Sequence, residues 1–186
     1  MRRRSMWQVP KSKWRLGIPI GGLVFLGLGV LGTIGFNVSM EVTSTDAFCT
    51  SCHESPSAWV AEEWKEKSHF KSASGMVVGC HDCHIPKPFF QKVWVKGTSA
   101  LSHVSHQVFN PYEDKAEFES KRKELAERVW AKMKATDSRE CRHCHDVERM
   151  DFDAQSKKAA AMHKRIEKMG RTCIDCHKGL AHNKPK

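Results

Sequence analysis

The sequence predicts a mainly α-helical protein with extensive loops, in which one N-terminal transmembrane helix precedes an exported domain. Three observations support this prediction. Residues 16–40 carry no charge, one five-residue cysteine–histidine motif occurs four times, and the chain after residue 40 holds little aliphatic material for a core of its own. A chain of 186 residues would ordinarily form one domain. The charge-free segment at its N-terminal end differs in composition from the rest and indicates a part with a separate function.

The N-terminal segment predicts a membrane anchor. At about 1.5 Å per residue, the 25 uncharged residues are long enough to cross a hydrocarbon layer of roughly 30 Å. Six Lys and Arg residues precede the segment and none follows it until Lys65, which predicts a cytoplasmic N-terminus. A cleaved signal peptide would need a shorter apolar region and an A-x-A-like cleavage site, and neither is evident. We expect residues 1–15 to be a cytoplasmic basic tail and residues 16–40 an uncleaved signal anchor.

The repeated motif is the attachment signature of c-type haem. It reads C-T-S-C-H at 49–53, C-H-D-C-H at 80–84, C-R-H-C-H at 141–145 and C-I-D-C-H at 173–177. In C-x-x-C-H the two thiols form thioethers with the haem and the histidine is an axial ligand of the iron. A zinc half-site or a redox dithiol also contains C-x-x-C, but neither requires a histidine after every pair. The sequence therefore predicts a multihaem cytochrome c domain with four covalently bound haem c groups.

These motifs use all eight cysteines of the chain and four of its 11 histidines. The predicted thioether residues are Cys49, Cys52, Cys80, Cys83, Cys141, Cys144, Cys173 and Cys176, and the predicted proximal ligands are His53, His84, His145 and His177. The attachment of c-type haem takes place on the periplasmic side of bacterial membranes. The sequence thus predicts a single-pass protein of the bacterial inner membrane with its haem domain in the periplasm.

Five histidines outside the motifs are candidates for the distal ligands, because a low-spin electron carrier needs two strong axial ligands. We expect His69, His163 and His182 to be distal ligands, with either His103 or His106 as the fourth. His81 and His143 lie inside C-x-x-C loops, where they are poorly aimed at their own iron. The sequence does not indicate which histidine serves which iron.

The exported part divides into two similar halves. The first cysteines of successive motifs are 31 residues apart from Cys49 to Cys80 and 32 apart from Cys141 to Cys173. This repetition predicts two dihaem modules, residues 41–109 and 141–186. Residues 110–140 between them predict an amphipathic connecting helix. Its apolar stripe consists of Phe118, Leu125, Val129, Trp130 and Met133.

The formal net charge of +10 does not indicate nucleic-acid binding. Of the 31 Lys and Arg residues, six precede the membrane segment, which leaves 25 against 21 Asp and Glu in the exported part. The basic cluster is therefore a topology signal rather than a binding surface.

Further motifs resemble the NapC/NirT family of membrane-anchored tetrahaem cytochromes. The matching segments are S-T-D-A-F-C-T-S-C-H at 44–53, D-C-H-I-P at 82–86, E-C-R-H-C-H at 140–145, A-A-A-M-H at 159–163 and C-I-D-C-H-K-G-L-A-H at 173–182. The resemblance implies an electron-transfer protein with quinol dehydrogenase activity in anaerobic-type respiration. It would oxidise membrane menaquinol or ubiquinol and reduce a periplasmic reductase or electron-carrier protein, with membrane lipid around its anchor. The resemblance also supports His69, His163 and His182 as distal ligands.

Two departures from the family pattern concern the first haem and the quinol site. Many relatives have a methionine ligand where this chain has Ser55, and a carboxylate after a lysine that corresponds here to Lys96. The place of that carboxylate falls near Ser102 and His103. His103 would be the base for quinol oxidation if His106 ligates the iron. Alternatively, one of the two histidines ligates and the other is exposed to solvent.

Other interpretations remain open from the sequence alone. The aromatic and basic segment 88–96 would lie at the membrane surface or would cover a haem face. Electrons could also flow in the opposite direction, from a periplasmic donor to quinone. A third function, catalysis or sensing at a haem with an open sixth position, is kept open by Ser55 at the first motif.

Overall fold

The structure is a computed structural model that describes residues 14–15, 18–51 and 56–186. The chain forms two compact units, one ending at Ser44 and the other running from Thr45 to Lys186. Helices dominate both units, so the predicted mainly α-helical class is confirmed. The division of the exported part into two dihaem modules stays a prediction.

The first unit contains the predicted membrane anchor. Strand β1 (Trp14–Arg15) pairs with the antiparallel strand β2 (Ile18–Pro19), and helix α1 (Ile20–Val42) follows directly. Helix α1 is long and apolar enough to cross a membrane. Its polar side chains bond within the helix: Thr33 Oγ1 donates to Gly29 O and Asn37 Nδ2 to Thr33 O, both at 2.8 Å. Internal satisfaction of this kind suits a helix in lipid, where no water is available as a partner.

The second unit consists of two helices of 21 residues and several shorter ones, joined by loops. Its elements are α2 (Asp46–Cys49), α3 (Pro56–Lys65), α4 (Cys80–His84), α5 (Phe89–Phe109), α6 (Lys115–Ala135), α7 (Arg139–Arg142), a 3₁₀ helix (Val147–Arg149), α8 (Lys157–His163) and α9 (Cys173–Cys176). Helix α6 lies inside the segment 110–140 that was predicted to be helical. It begins at an Asp114 cap, whose Oδ1 accepts from Glu117 N at 2.8 Å.

The core of the second unit is small. Only six apolar side chains are buried among the described residues: Ala61, Trp64, Pro86, Phe118, Ile166 and Ile174. Helix α3 packs against α6 through the rings of Trp59 and Phe118, whose centroids are 5.5 Å apart. Trp64 Nε1 donates to Val78 O at 3.0 Å and so ties α3 to the loop before α4. A protein core of this size leaves the motif-bearing segments dependent on other contacts for their stability.

The inner face of α6 agrees only partly with the predicted stripe. Phe118 is buried, and Leu125, Val129, Trp130 and Met133 are half-buried. Arg122, one turn after Phe118, is buried as well. A guanidinium on the buried face needs ionic partners, and two glutamates supply them, as described below.

Candidate haem-binding centre

The four motifs lie on or beside short helical turns. Helices α4 and α9 begin at Cys80 and Cys173, the first cysteines of the second and fourth motifs. Cys49 ends α2, and Cys141 lies within α7. Residues three apart in a helical turn share one side, so both thiols of the second and fourth motifs face the same way. That arrangement suits attachment of two sulfurs to one edge of a porphyrin.

A matching aspartate caps the helix at two of the motifs. Asp82 Oδ2 accepts from Gly79 N, and Asp175 Oδ2 accepts from Thr172 N, both at 2.9 Å. The sequence signal for these caps is the shared aspartate in C-H-D-C-H and C-I-D-C-H. Each carboxylate also binds a lysine: Lys87 Nζ lies 2.6 Å from Asp82 Oδ1, and Lys134 Nζ lies 2.8 Å from Asp175 Oδ1. The Lys134 ammonium and then the Thr172 amide lower the pKa of Asp175 to about 2.

Hydrogen bonds and helix contacts connect successive motifs. Asp46 Oδ1 accepts from Cys80 N at 2.7 Å, which joins the turn of the first motif to that of the second. Helix α4 then packs against α7 of the third motif. Ser138, fully buried just before the third motif, accepts from Ile174 N at 3.1 Å and so holds the fourth. The described parts of the motifs therefore follow one another in space in their order along the chain.

Three of the predicted distal histidines face predicted proximal histidines. The ring centroids of His163 and His177 are 5.8 Å apart, those of His84 and His182 are 6.2 Å apart, and those of His69 and His145 are 6.3 Å apart. Only the first pair joins residues of the same predicted module. The other two pairs each join one half of the exported part to the other half.

Hydrogen bonds at Nδ1 fix the orientation of two of these rings. Gln155 Oε1 lies 2.7 Å from His163 Nδ1, and Val60 O lies 3.3 Å from His182 Nδ1. Because each of these oxygens is an acceptor, the ring nitrogen donates, and Nε2 is left with its lone pair. Ligating histidines are held in this way by carbonyl or carboxylate groups. His69 Nδ1 differs, since it is buried with no hydrogen-bond partner in the structure.

The spacing of one pair, His163 and His177, suits a metal ion between the two rings. His163 Nε2 and His177 Nε2 are 3.5 Å apart. Two metal–imidazole bonds of about 2 Å each on opposite sides of an ion need about 4 Å. No set of three or more His, Cys, Asp or Glu side chains gathers around one point in the described part of the chain. The donors therefore occur as facing pairs, and haem held by them would add the apolar contact that the small protein core lacks.

The two thiols of the second motif do not have the character of a redox dithiol. Burial, with the Asp46 carboxylate nearby, raises the pKa of Cys80 to about 12. Burial also raises the pKa of Cys83 to about 11, with neighbouring Cys141 as a further cause. Reactive cysteines have a lowered pKa instead. The second motif therefore lacks the lowered thiol pKa that thiol–disulfide exchange requires.

The quinol-site candidates Lys96 and His103 lie on α5. Burial and Asp46 raise the pKa of Cys49 while Lys96 lowers it, so the Lys96 ammonium is within electrostatic range of the first motif. His103 is exposed, and His106 packs against Tyr112 with centroids 4.8 Å apart. Cys52, His53 and Ser55 lie outside the described residues, so the ligands of the first haem stay predictions.

Sequence reasoning missed a buried ionic cluster next to His182. Arg122 donates to Glu63 and Glu119, and Glu63 Oε2 also accepts from Asn183 N at 2.7 Å. Burial raises the pKa of Glu63, but the hydrogen bonds from Arg122 and Asn183 outweigh it, and the pKa is lowered overall. The cluster holds the C-terminal segment against α3 and α6. No local sequence pattern predicts this cluster, because its members come from three distant parts of the chain.

Comparison with known proteins agrees with this site. The chain matches the NapC/NirT cytochrome c family, N-terminal region, over residues 10–186. It belongs to this family. The cytochrome c-type protein NapC of Haemophilus influenzae is 38% identical over 98% of this chain and 89% of its own length. A putative tetraheme cytochrome-c type protein of Allochromatium vinosum is 41% identical over 88% of this chain and 87% of its own length.

A third relative, the denitrification system component NirT of Stutzerimonas stutzeri, is 38% identical over 90% of this chain and 83% of its own length. The comparison with solved structures found no match. As a NapC/NirT cytochrome, the protein carries covalently bound haem c and transfers electrons in respiration. The residues predicted to hold the haem are the thiols on helical turns and the histidines in facing pairs.

Proposed function

We propose that this protein is a single-pass cytochrome of the inner membrane that carries four haem c groups in the periplasm, oxidises menaquinol or ubiquinol and reduces a periplasmic reductase or electron-carrier protein. The proposal rests on family membership for electron transfer and on one face of α5 for the quinol chemistry. Bound haem supplies one-electron redox chemistry and takes up no proton. The residues of the chain must therefore manage the protons.

The observation that carries the quinol assignment is the alignment of Lys96 with His103. Seven residues are close to two helical turns, so the two side chains point the same way about 10 Å apart along the axis. Ser102, the other residue at the place of the missing carboxylate, lies about 120° away from Lys96 around the helix. The helix geometry therefore favours His103 over Ser102 as the partner of Lys96.

Oxidation of a quinol to a quinone removes two electrons and two protons. A base near the quinol hydroxyl is needed, and histidine changes charge in the range of physiological pH. In our proposal His103 accepts one hydroxyl proton and releases it to the periplasm, and the proton of the other hydroxyl leaves to water. Lys96 donates a hydrogen bond to the other quinol oxygen and stabilises the negative charge that grows there as protons leave.

The links between motifs support the transfer of electrons onward. Because the motif turns are joined in sequence by Asp46, by the packing of α4 on α7 and by Ser138, groups attached to them would be neighbours. A row of neighbouring carriers suits transfer from a membrane donor to a soluble acceptor. The chain thus provides a proton acceptor at one end and a connected series of attachment sites.

The test is reduction of the full-length, haem-loaded protein in lipid nanodiscs by a menaquinol analogue, followed at the α-band of c-type haem. Dithionite sets the fully reduced level. We expect rapid reduction of the wild type, several-fold slower reduction of His103→Gln and Lys96→Met, and a wild-type rate for the control Ser102→Ala. A wild type that dithionite reduces and quinol does not would contradict quinol oxidation. A wild-type rate in His103→Gln would remove His103 as the base.

A further inference from the structure

Helix α5 has an apolar face that is exposed along its whole length. The large residues on this face are Phe90, Trp94, Leu101, Val104 and Val108. At 100° per residue they fall within a sector of about 80°. Phe90 is 84% exposed and Leu101 75% exposed. Apolar side chains that form a continuous exposed stripe usually mark an interaction surface.

The haem-attachment sites do not account for this apolar face. Lys92, Lys96, Ser99 and His103 form a second stripe, centred about 150° from the first around the helix. Lys92, Lys96 and Ser99 are half-buried, and Lys96 is within electrostatic range of Cys49. The polar side of α5 therefore faces the first motif. The apolar side points away from it, which is the reverse of a helix on the surface of a soluble protein.

The composition of α5 favours a lipid surface as the occupant. Its 21 residues include no Asp or Glu, and their only Lys or Arg residues are Lys92 and Lys96. Trp and Lys are typical of the membrane–water interface, and a segment without carboxylates is not repelled by anionic headgroups. The second unit begins at Thr45, three residues after the end of the candidate membrane helix α1 at Val42. The chain itself thus tethers α5 to a bilayer.

We propose that α5 lies in the plane of the membrane surface with Phe90, Trp94, Leu101, Val104 and Val108 in the boundary between headgroups and acyl chains. An amphipathic helix binds in this way through the buried area of its apolar face and through attraction of its basic residues to anionic lipid. This is a second membrane contact, in addition to the anchor. It does not depend on the direction of electron flow or on the identity of the quinol, so it stands or falls separately from the proposed function.

The test uses the full-length, haem-loaded protein in nanodiscs of phosphatidylethanolamine and phosphatidylglycerol. Haem attachment engages all eight native cysteines, so an introduced cysteine is the single reactive thiol. We compare Leu101→Cys with the control Ser120→Cys, an exposed position on α6, in their rates of alkylation by a membrane-impermeant maleimide. The photoreactive residue benzoylphenylalanine at the same two positions then identifies the neighbour by mass. The α-band confirms that each variant carries its haem.

We expect several-fold slower alkylation at position 101 than at position 120, and a phospholipid adduct at position 101 alone. Equal alkylation rates with no lipid adduct would overturn the proposal. A crosslink from position 101 to a second copy of the chain, in place of lipid, would also overturn it and would identify the face as a dimer contact.

Discussion

Arg122 of α6 and Glu63 of α3 form a two-point ion pair, with Nη2 2.6 Å from Oε1 and Nη1 3.0 Å from Oε2. Glu63 also accepts from the amide of Asn183, the residue after His182. The ring of His182 in turn faces that of His84. The ion pair is therefore part of the structure that presents a predicted axial ligand to the second motif.

We predict that Arg122→Met destabilises the protein and disturbs the haem of the second motif. Removing one partner of a buried ion pair leaves the other charge buried and typically costs about 3 kcal/mol. The free energy of unfolding, from urea titration of the detergent-solubilised protein, should fall by about this amount, and a high-spin ferric signal should appear in electron paramagnetic resonance. Arg122→Lys should recover only part of the loss, because an ammonium cannot reproduce the planar two-point contact.

Arg128→Met is the matched control for this prediction. Arg128 lies on the same helix and binds Glu124, but the side chains of this pair are 69% and 58% exposed. Exposed pairs contribute from about 0 to 1 kcal/mol, so we expect little change in stability and no change in spin state. Equal losses in the two variants would contradict a special role for Arg122.

The same pair predicts a loss of stability in acid. Arg122 and Asn183 hold the pKa of Glu63 below its usual range although burial opposes this. The contribution is fully present above the ordinary glutamate pKa of about 4.3 and is lost as pH falls through the lower folded-state value. The free energy of unfolding of the wild type should therefore decrease with pH in this range, and Glu63→Gln should decrease less steeply. Glu124→Gln, which alters the exposed pair, should retain the wild-type slope.

The facing histidines predict a distinct spectroscopic result. Replacing His69, His163 or His182 individually by Leu should leave one haem without its distal ligand, because each ring faces a different proximal histidine. Each variant should show one high-spin ferric haem by electron paramagnetic resonance, in contrast to the control His143→Gln inside a C-x-x-C loop. His103→Leu and His106→Leu then decide the fourth ligand, for which we predict His106. A low-spin His163→Leu protein would refute the pairing of His163 with His177.

The sequence predicts those features that depend on neighbouring residues and does not predict those that depend on residues far apart in the chain. The C-x-x-C-H motifs and the uncharged anchor are local, because thioether attachment and membrane crossing each require only a short stretch of chain. The histidine pairs are not local. His69 faces His145 and His182 faces His84, so their partners follow from the tertiary fold and not from spacing.

Helix α6 shows the same limit in packing. Its presence and most of its apolar stripe were predictable from periodicity, since Phe118 and the half-buried residues after it face the body of the unit. The helix is shorter than predicted, because it spans Lys115–Ala135 rather than all of 110–140. The burial of Arg122 could not be predicted from periodicity, because a charged residue is expected in solvent unless its counter-ion is known. Glu63 is that counter-ion, and it belongs to α3.

A pair of glycine substitutions tests the link between the first two motifs. A Cβ at Gly79 would lie 2.8 Å from Asp46 Oδ1, the atom that accepts from Cys80 N. Gly79→Ala should displace this carboxylate and lower the free energy of unfolding by about 2 kcal/mol, the order of a hydrogen bond to a charged group. Gly97→Ala is the control: no heavy atom lies within 4 Å of its Cβ, and alanine in a helix should stabilise by up to about 1 kcal/mol.

The Asp46→Ala background shows whether the clash is the cause. In the Asp46→Ala protein the carboxylate that would clash with a methyl group at position 79 is absent. Gly79→Ala should therefore lower the free energy of unfolding much less in that background than in the wild type. Non-additivity of this kind is expected for residues in direct contact. The four proteins of the cycle are compared by urea unfolding with the α-band as a check of haem content. Equal cost of Gly79→Ala in both backgrounds would mean that its effect comes from the backbone at position 79 and not from the Asp46 link.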